Sequence, residues 1–254
     1  MNTMSPDEDG VAEEWRASAN ATPVISDLLP VTCLQEEYAG NANANFLHGI
    51  AWLDQHYGGL RRVRGDGNCF FRAFIFALCE QLVGAHAKSA LGVRVLETIR
   101  QSKARLVALG YSEMAIDAFW ETFVDYLDFQ TEGGESEYLV WYMRLLTAGH
   151  LKQHAEQFQP FIEGLFPGQT VAQFCAAEVE PMGKECDQPQ IAALTEALGV
   201  GVKIEYLDGS VGVDEPLQSY ICAPSTGNDT LAAQPIITLL YRPGHYDILY
   251  PRSE

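Results

Sequence analysis

Gly65-Asp66-Gly67-Asn68-Cys69-Phe70-Phe71-Arg72-Ala73-Phe74 sets four loop-forming residues directly against a cysteine, and the cysteine opens a strongly apolar segment. Gly, Asp and Asn tolerate the strained or positive backbone angles of a tight loop, whereas Phe70 to Leu78 reads as a buried helix. Cys69 then stands in the first turn of that helix, where unpaired backbone N–H groups and the helix dipole favour negative charge on the sulfur. Taken alone, such a cysteine reads first as a buried structural thiol. A phosphate or dinucleotide loop fits poorly, because Phe70 occupies the place of a third glycine and no P-loop lysine follows.

A second stretch, far downstream, changes the weight of the first. Ile236 to Tyr241 reads as a strand, Pro243-Gly244 as a turn, and His245 to Tyr250 as the antiparallel partner strand. Residues i and i+2 of a strand share a face, so His245 and Asp247 stand side by side. The carboxylate can hold one ring nitrogen and leave the other as a base, the arrangement of nucleophile–base–orienter triads. The pair alone also fits a sheet-surface histidine with an incidental aspartate. Together with Cys69 it supplies a nucleophile, a base and an orienter, with the donor-rich loop as an oxyanion cradle.

Between these stretches the pattern is helical. Residues 1 to 24 carry Asp7, Glu8, Asp9, Glu13 and Glu14 with little apolar content and read as a disordered acidic tail, ahead of a single domain over 25–254. From Ser26 the period predicts a helix, limited by Pro30, and a second one with Phe46, Leu47, Ile50 and Leu53 runs to a Gly58-Gly59 stop. This arm, residues 25–60, is either ordinary core or a docking face. Further helices are predicted over Lys88–Leu109, Ser112–Phe129 and Ser136–Thr147, the last stopping at Gly149, with a short Gly133-Gly134 loop before it. Pro160 to Gly168 reads as a connection. Thr170 caps a helix through Val179, and Asp187 caps another that ends at Gly199. The period then changes to two, with Val202, Ile204 and Tyr206 inward and Lys203 and Glu205 outward, and a short strand follows at Ser219–Cys222. Helices first and strands last indicate an α+β domain with a small, mainly antiparallel sheet.

At 254 residues the chain can bury a substantial core, and 47% hydrophobic with 20% charged residues fits a globular protein. The net charge of −18 argues against nucleic acid as a partner and favours a basic protein surface. No apolar run approaches the ~18 residues of a membrane span. The N-terminus lacks a basic start and an apolar centre, so a cytoplasmic or also nuclear protein is expected. The six cysteines lack C-x-x-C spacing and are expected as free thiols. His150 and His154 stand four apart, but Leu151 replaces the glutamate of H-E-x-x-H, so no metal site is assigned.

The Asp66–Phe74 run resembles the catalytic-cysteine motif of the ovarian-tumour (OTU) superfamily of deubiquitinating cysteine proteases. Tyr241-Arg242-Pro243-Gly244-His245-Tyr246-Asp247-Ile248-Leu249-Tyr250 resembles its otubain branch specifically, as do Phe174–Met182 and Tyr138–Thr147. The resemblance spans roughly residues 26 to 251 in consistent order. It implies a papain-like fold and hydrolysis of isopeptide bonds in polyubiquitin, preferring chains linked through lysine forty-eight. By position, Cys69 is the nucleophile, His245 the base and Asp247 its orienter. Asp66 is the loop acid whose backbone, with the Cys69 N–H, helps shape the oxyanion site in the loop formed with Gly67 and Asn68. No cofactor is implied. The implied partners are ubiquitin, polyubiquitin and ubiquitin-conjugating enzymes, with proximal ubiquitin on the N-terminal arm and distal ubiquitin around residues 202 to 240. The chain is expected to act as a monomer, without nucleic acid or membrane. Regulation of conjugating enzymes without catalysis is the alternative. Two departures from the family pattern are the short Gly133-Gly134 loop and Cys186, where a polar residue is usual.

Overall fold

The computed structural model describes residues 23–129, 136–213, 215–225 and 234–252. The acidic tail through residue 22 and the Gly133-Gly134 loop lie outside the described residues. One five-stranded sheet organises the rest, in the order β1-β5-β4-β2-β3. Its strands are β1 (Tyr57–Arg61), β2 (Gly201–Tyr206), β3 (Gln218–Cys222), β4 (Pro235–Arg242) and β5 (His245–Pro251). Three neighbouring pairs are antiparallel and β2·β4 is parallel.

Both sheet faces are covered, and the alternation along β4 and β5 decides what covers each. Ile237, Leu239, Tyr246 and Ile248 join the core formed with α2 (Cys69–Val83), α3 (Ala90–Ala108), α4 (Glu113–Phe129), α5 (Ser136–Gln153) and α7 (Gln188–Leu198). Leu240 and Leu249 face the other way, onto α1 (Asn45–His56) and the short helical turns Val31–Leu34 and Gln35–Tyr38. A third cluster joins α5, α6 (Ala155–Leu165) and the Val171–Val179 segment.

α2 is the central helix. Phe70, Phe71, Phe74 and Leu78 are all at most 1% exposed. At about 1.5–3 kcal/mol for each large apolar side chain buried, this helix is held on every side and is a rigid mount for its first residue. Among the described residues, no helix is long and apolar enough to cross a membrane.

Several expected elements change. Ser26 to Leu29 is extended, with Ile25 bridging Val63 and Leu29 bridging Leu60. Leu29 precedes Pro30, and a residue before proline is driven out of the α region. Gly58-Gly59 does not merely stop α1; it lies inside β1, where a Cβ on Gly59 would sit 2.8 Å from the Leu29 carbonyl oxygen. α5 runs on through Gly149, whose missing side chain lets Leu106 of α3 approach. Pro160 lies inside α6 and not in a connection. That helix buries Phe158 and Ile162, and Gln159 ties it to the next segment, donating to Gln169 O at 2.8 Å and accepting from Val171 N–H at 3.0 Å. These contacts offset the hydrogen bond that Pro160 cannot make. The Thr170 helix lasts only to Phe174 before a π-helical turn over Cys175–Val179. Glu205 is buried and not outward: its carboxylate accepts from Tyr57 OH at 2.5 Å and Lys203 Nζ at 2.7 Å, and from the Ser219 hydroxyl. The Asp187 and Gly199 boundaries of α7 stand as read, with Gly199 at φ +66°.

Candidate active site

Cys69 is the first residue of α2 and is 5% exposed. Asn68 precedes it with no side-chain cap, because its Oδ1 is spent elsewhere. It accepts from Arg144 Nη2 at 2.8 Å, Arg144 Nε at 3.2 Å and Gly183 N at 2.8 Å. The first-turn N–H groups of α2, that of Cys69 among them, thus receive nothing from the Asn68 side chain and can serve an anion beside the sulfur.

The loop before Cys69 is fixed from three directions. Gly67 takes φ +76°, and a Cβ there would lie 2.2 Å from Gly183 O, so only glycine fits. The Asp66 carboxylate accepts from the Asn68 N–H at 3.0 Å and from Arg72 Nη1 at 2.8 Å. Burial pushes the Asp66 pKa up, but the Arg72 bond and charge outweigh it and hold the carboxyl below its usual range. The Asp66 N–H itself donates to Arg64 O at 3.2 Å, so it is engaged and not turned to the oxyanion position that the resemblance implied for the Asp66 backbone. Arg144, fully buried on α5, donates further to Gly67 O at 2.9 Å, Lys184 O at 2.6 Å and Val179 O at 3.0 Å. It stacks over the Phe71 ring, 4.6 Å from its centroid. Arg144, Arg72 and Gly183 were not singled out from sequence as parts of the site. An arginine on the apolar stripe of a predicted helix was the one available signal for Arg144.

β5 brings the second half. His245 faces Arg242 across the β4–β5 turn and Asp247 pairs with Leu240, with Gly244 at φ +74° closing the two-residue loop. His245 Nε2 lies 2.9 Å from Asp247 Oδ1. That oxygen also accepts from the Val63 N–H at 3.0 Å, and Oδ2 accepts from Arg242 Nε at 3.0 Å and Nη2 at 2.8 Å. Asp247 is fully buried, and four donors saturate its carboxylate. Burial raises its pKa, but the His245 bond and the Arg242 charge outweigh that and hold it below the ordinary carboxylate range.

With Nε2 taken by Asp247, Nδ1 is the nitrogen turned toward the loop: it lies 3.5 Å from where a Gly65 Cβ would be. A side chain at Gly65 would crowd the imidazole. Burial pulls the His245 pKa down, but the hydrogen bonds to Asp247 and Cys69, with the Asp247 charge, push it up to about 9. Cys69, His245 and Asp247 are therefore brought together by the fold, with Asp66, Gly67 and Asn68 forming the loop beside them.

The remaining chemistry-bearing residues lie elsewhere. The His150 and His154 rings lie tilted against each other with centroids 4.2 Å apart, and burial lowers the His150 pKa to about 4, so His150 is a partly buried neutral ring and not a solvated helix end. Among the described residues no group of three or more His, Cys, Asp or Glu could hold a metal ion. All six cysteines are free.

A papain-like α+β fold with a helix-start thiol against a strand-borne histidine and carboxylate defines the class of thiol peptidases. The family described as Peptidase C65, Otubain, matches residues 17–133 and 125–251, and the chain belongs to that family. The enzyme class that goes with it is that of deubiquitinating enzymes. The chain is 37% identical to the Arabidopsis thaliana OVARIAN TUMOR DOMAIN-containing deubiquitinating enzyme 1, over 97% of this chain and 86% of that protein. It is likewise 37% identical to the Homo sapiens Ubiquitin thioesterase OTUB1, over 98% and 92%. Among solved structures, "The structure of a ceOTUB1 ubiquitin aldehyde UBC13~Ub complex" is similar at a TM-score of 0.81 and 32% identity, covering 95% of this chain and 99% of that one.

Proposed function

We propose that this protein hydrolyses isopeptide bonds of polyubiquitin through Cys69, His245 and Asp247. The observation that carries this reading is the division of the His245 ring, with Nε2 bound to a saturated Asp247 and Nδ1 turned to the Cys69 loop. The proton that Cys69 gives up rests on His245, and the sulfur attacks the carbonyl carbon of ubiquitin's terminal glycine. The first N–H groups of α2 stabilise the oxyanion of the tetrahedral intermediate. As it collapses, the C–N bond breaks and His245 delivers its proton to the departing lysine amine. A thioester between ubiquitin and Cys69 remains. Water, its proton taken by His245, attacks that thioester, freeing the ubiquitin carboxylate and the Cys69 sulfur. No step calls on a cofactor.

The preferred substrate is a chain linked through lysine forty-eight, with the arm over residues 25–60 on the proximal ubiquitin and residues 202–240 on the distal one. Relatives at 32% identity are described in complex with ubiquitin aldehyde and conjugating enzymes carrying ubiquitin, which supports ubiquitin as the ligand of this site. The same complexes favour a second reading, regulation of ubiquitin-conjugating enzymes without catalysis. Incubation with diubiquitins of each lysine linkage separates the two. Cleavage that disappears in Cys69→Ala supports the peptidase. Intact diubiquitin of every linkage, combined with inhibition of a conjugating enzyme by Cys69→Ala, supports the regulator.

A further inference from the structure

The carboxylate that holds His245 is itself held, and the chain of holders leads out of the catalytic hairpin. Arg242 ends β4 opposite His245, and its guanidinium reaches diagonally to Asp247 with two bonds, Nε at 3.0 Å and Nη2 at 2.8 Å. The third nitrogen, Nη1, donates to Glu37 Oε2 at 2.6 Å. Glu37 belongs to the Gln35–Tyr38 turn of the N-terminal arm, and its other oxygen pairs with Arg62, which is also bonded to Cys33 O at 3.3 Å. Arg242 is 12% exposed and Asp247 not at all, so the pair is desolvated, while Glu37 at 35% lies at the protein surface. The geometry is possible because Leu240, Arg242, His245 and Asp247 share the sheet face that packs on the arm.

We propose that Arg242 is a positioning residue for the reaction, and that Glu37 holds it, so that the N-terminal arm and Asp247 form one mechanical unit. This rests on the triad reading above. Asp247 can hold His245 Nε2 through Oδ1 only while Oδ2 is fixed. Without Arg242 a buried carboxylate loses two of its four donors and turns to find others. The arm, proposed to carry the proximal ubiquitin, is then tied to the base through the ion-pair chain Glu37–Arg242–Asp247–His245, beside the backbone ties of Ile25 to Val63 and of β1 to β5. The charged and titratable groups that face Arg242 are Asp247, Glu37, Tyr38 and, across the β4–β5 pair, His245, with Arg62 behind Glu37.

The test compares full-length wild type with Arg242→Gln, Arg242→Lys and Glu37→Gln on diubiquitin, and titrates the His245 ring by NMR. Arg242→Gln is expected to lower kcat about 10- to 100-fold with KM nearly unchanged, as for a misplaced catalytic group. The His245 titration is expected to fall from about 9 toward its ordinary value. Were Arg242 only a counter-charge, its removal would raise that titration, and Arg242→Lys would restore the rate; either result overturns the proposal. Lysine keeps the charge but not the fork, so Arg242→Lys is expected to stay impaired. Glu37→Gln, outside the hairpin, is expected to cost about two- to fivefold and to add nothing in the Arg242→Gln background. Should Arg242→Gln not fold, Arg242→Lys and Glu37→Gln decide alone. If Cys69→Ser is inactive while both Arg242 variants and Glu37→Gln match wild type, only this proposal fails. If Cys69→Ser remains active, the triad reading itself fails.

Discussion

Replacing Arg144 by methionine asks how much of the active site depends on one buried guanidinium. Methionine has similar length and no donors. The substitution removes five hydrogen bonds, two to Asn68 Oδ1 and one each to Gly67 O, Val179 O and Lys184 O, as well as the guanidinium over the Phe71 ring. Asn68 Oδ1 keeps the Gly183 N–H, and the Gly67 and Lys184 bonds are only partly buried, so those acceptors can be rehydrated. The Val179 carbonyl bond is buried, and an orphaned buried acceptor costs about 1–3 kcal/mol. Hydrogen bonds from a charged donor add about 1.5–3 kcal/mol each, offset in part because the guanidinium no longer has to be desolvated. That burial is severe enough to lower the Arg144 pKa. The balance is a destabilisation of about 3 kcal/mol, or roughly 6–12 °C in Tm for a domain of this size. At a temperature where the variant is still folded, labelling of Cys69 by a ubiquitin derivative with an electrophilic C-terminus is expected to slow more than about tenfold, because Gly67 and Asn68 lose their tether. Differential scanning fluorimetry and a labelling time course measure both. A Tm within about 2 °C of wild type, or unchanged labelling in the folded variant, refutes the reasoning.

Three further outcomes follow from the same geometry. Gly67→Ala meets Gly183 O and a positive φ together, and is expected to unfold the loop and abolish labelling, read by the same time course. With His245 raised to about 9, the rate is expected to hold through neutral pH and fall as pH rises through about 9, when the ring loses the proton needed by the leaving amine. The sign for stability is the same: the raised folded pKa contributes stability that is full below the ordinary histidine value and lost as pH rises through about 9, whereas the depressed Asp247 contributes above the ordinary aspartate value and loses it as pH falls. Asp247→Ala is expected to slow diubiquitin cleavage less than Cys69→Ala, because an orienter is less essential than a nucleophile; equal and total loss in folded proteins would show the role to be different.

The Cys69 loop and the His245 hairpin were legible because their signals are local. The loop-to-helix change at Asn68–Cys69 and the two-residue spacing of His245 and Asp247 each describe geometry within a few residues of chain. What was missed is set by partners distant in sequence. Gly58-Gly59 reads as a helix stop, and nothing nearby reveals that the Leu29 carbonyl needs the space a side chain would fill. Glu205 sits at an alternating position that predicts solvent, but Tyr57, from 148 residues away, turns it inward. Arg144 and Arg242 stood within stretches already noticed, yet their partners, Asn68 and Gly183 for one and Glu37 for the other, meet only in the fold. Pro160 shows the reverse error: a local breaker is overruled by the burial of Phe158 and Ile162 on either side of it.

The central claim is that Cys69 is the nucleophile and that the fold has built its base and cradle around it. Mass spectrometry after reaction with a ubiquitin bearing an electrophilic C-terminus tests this most directly. The account predicts one ubiquitin per chain, attached at Cys69, with no adduct in Cys69→Ser and none of the other five cysteines modified. An adduct on another cysteine, or equal labelling of Cys69→Ser, contradicts it.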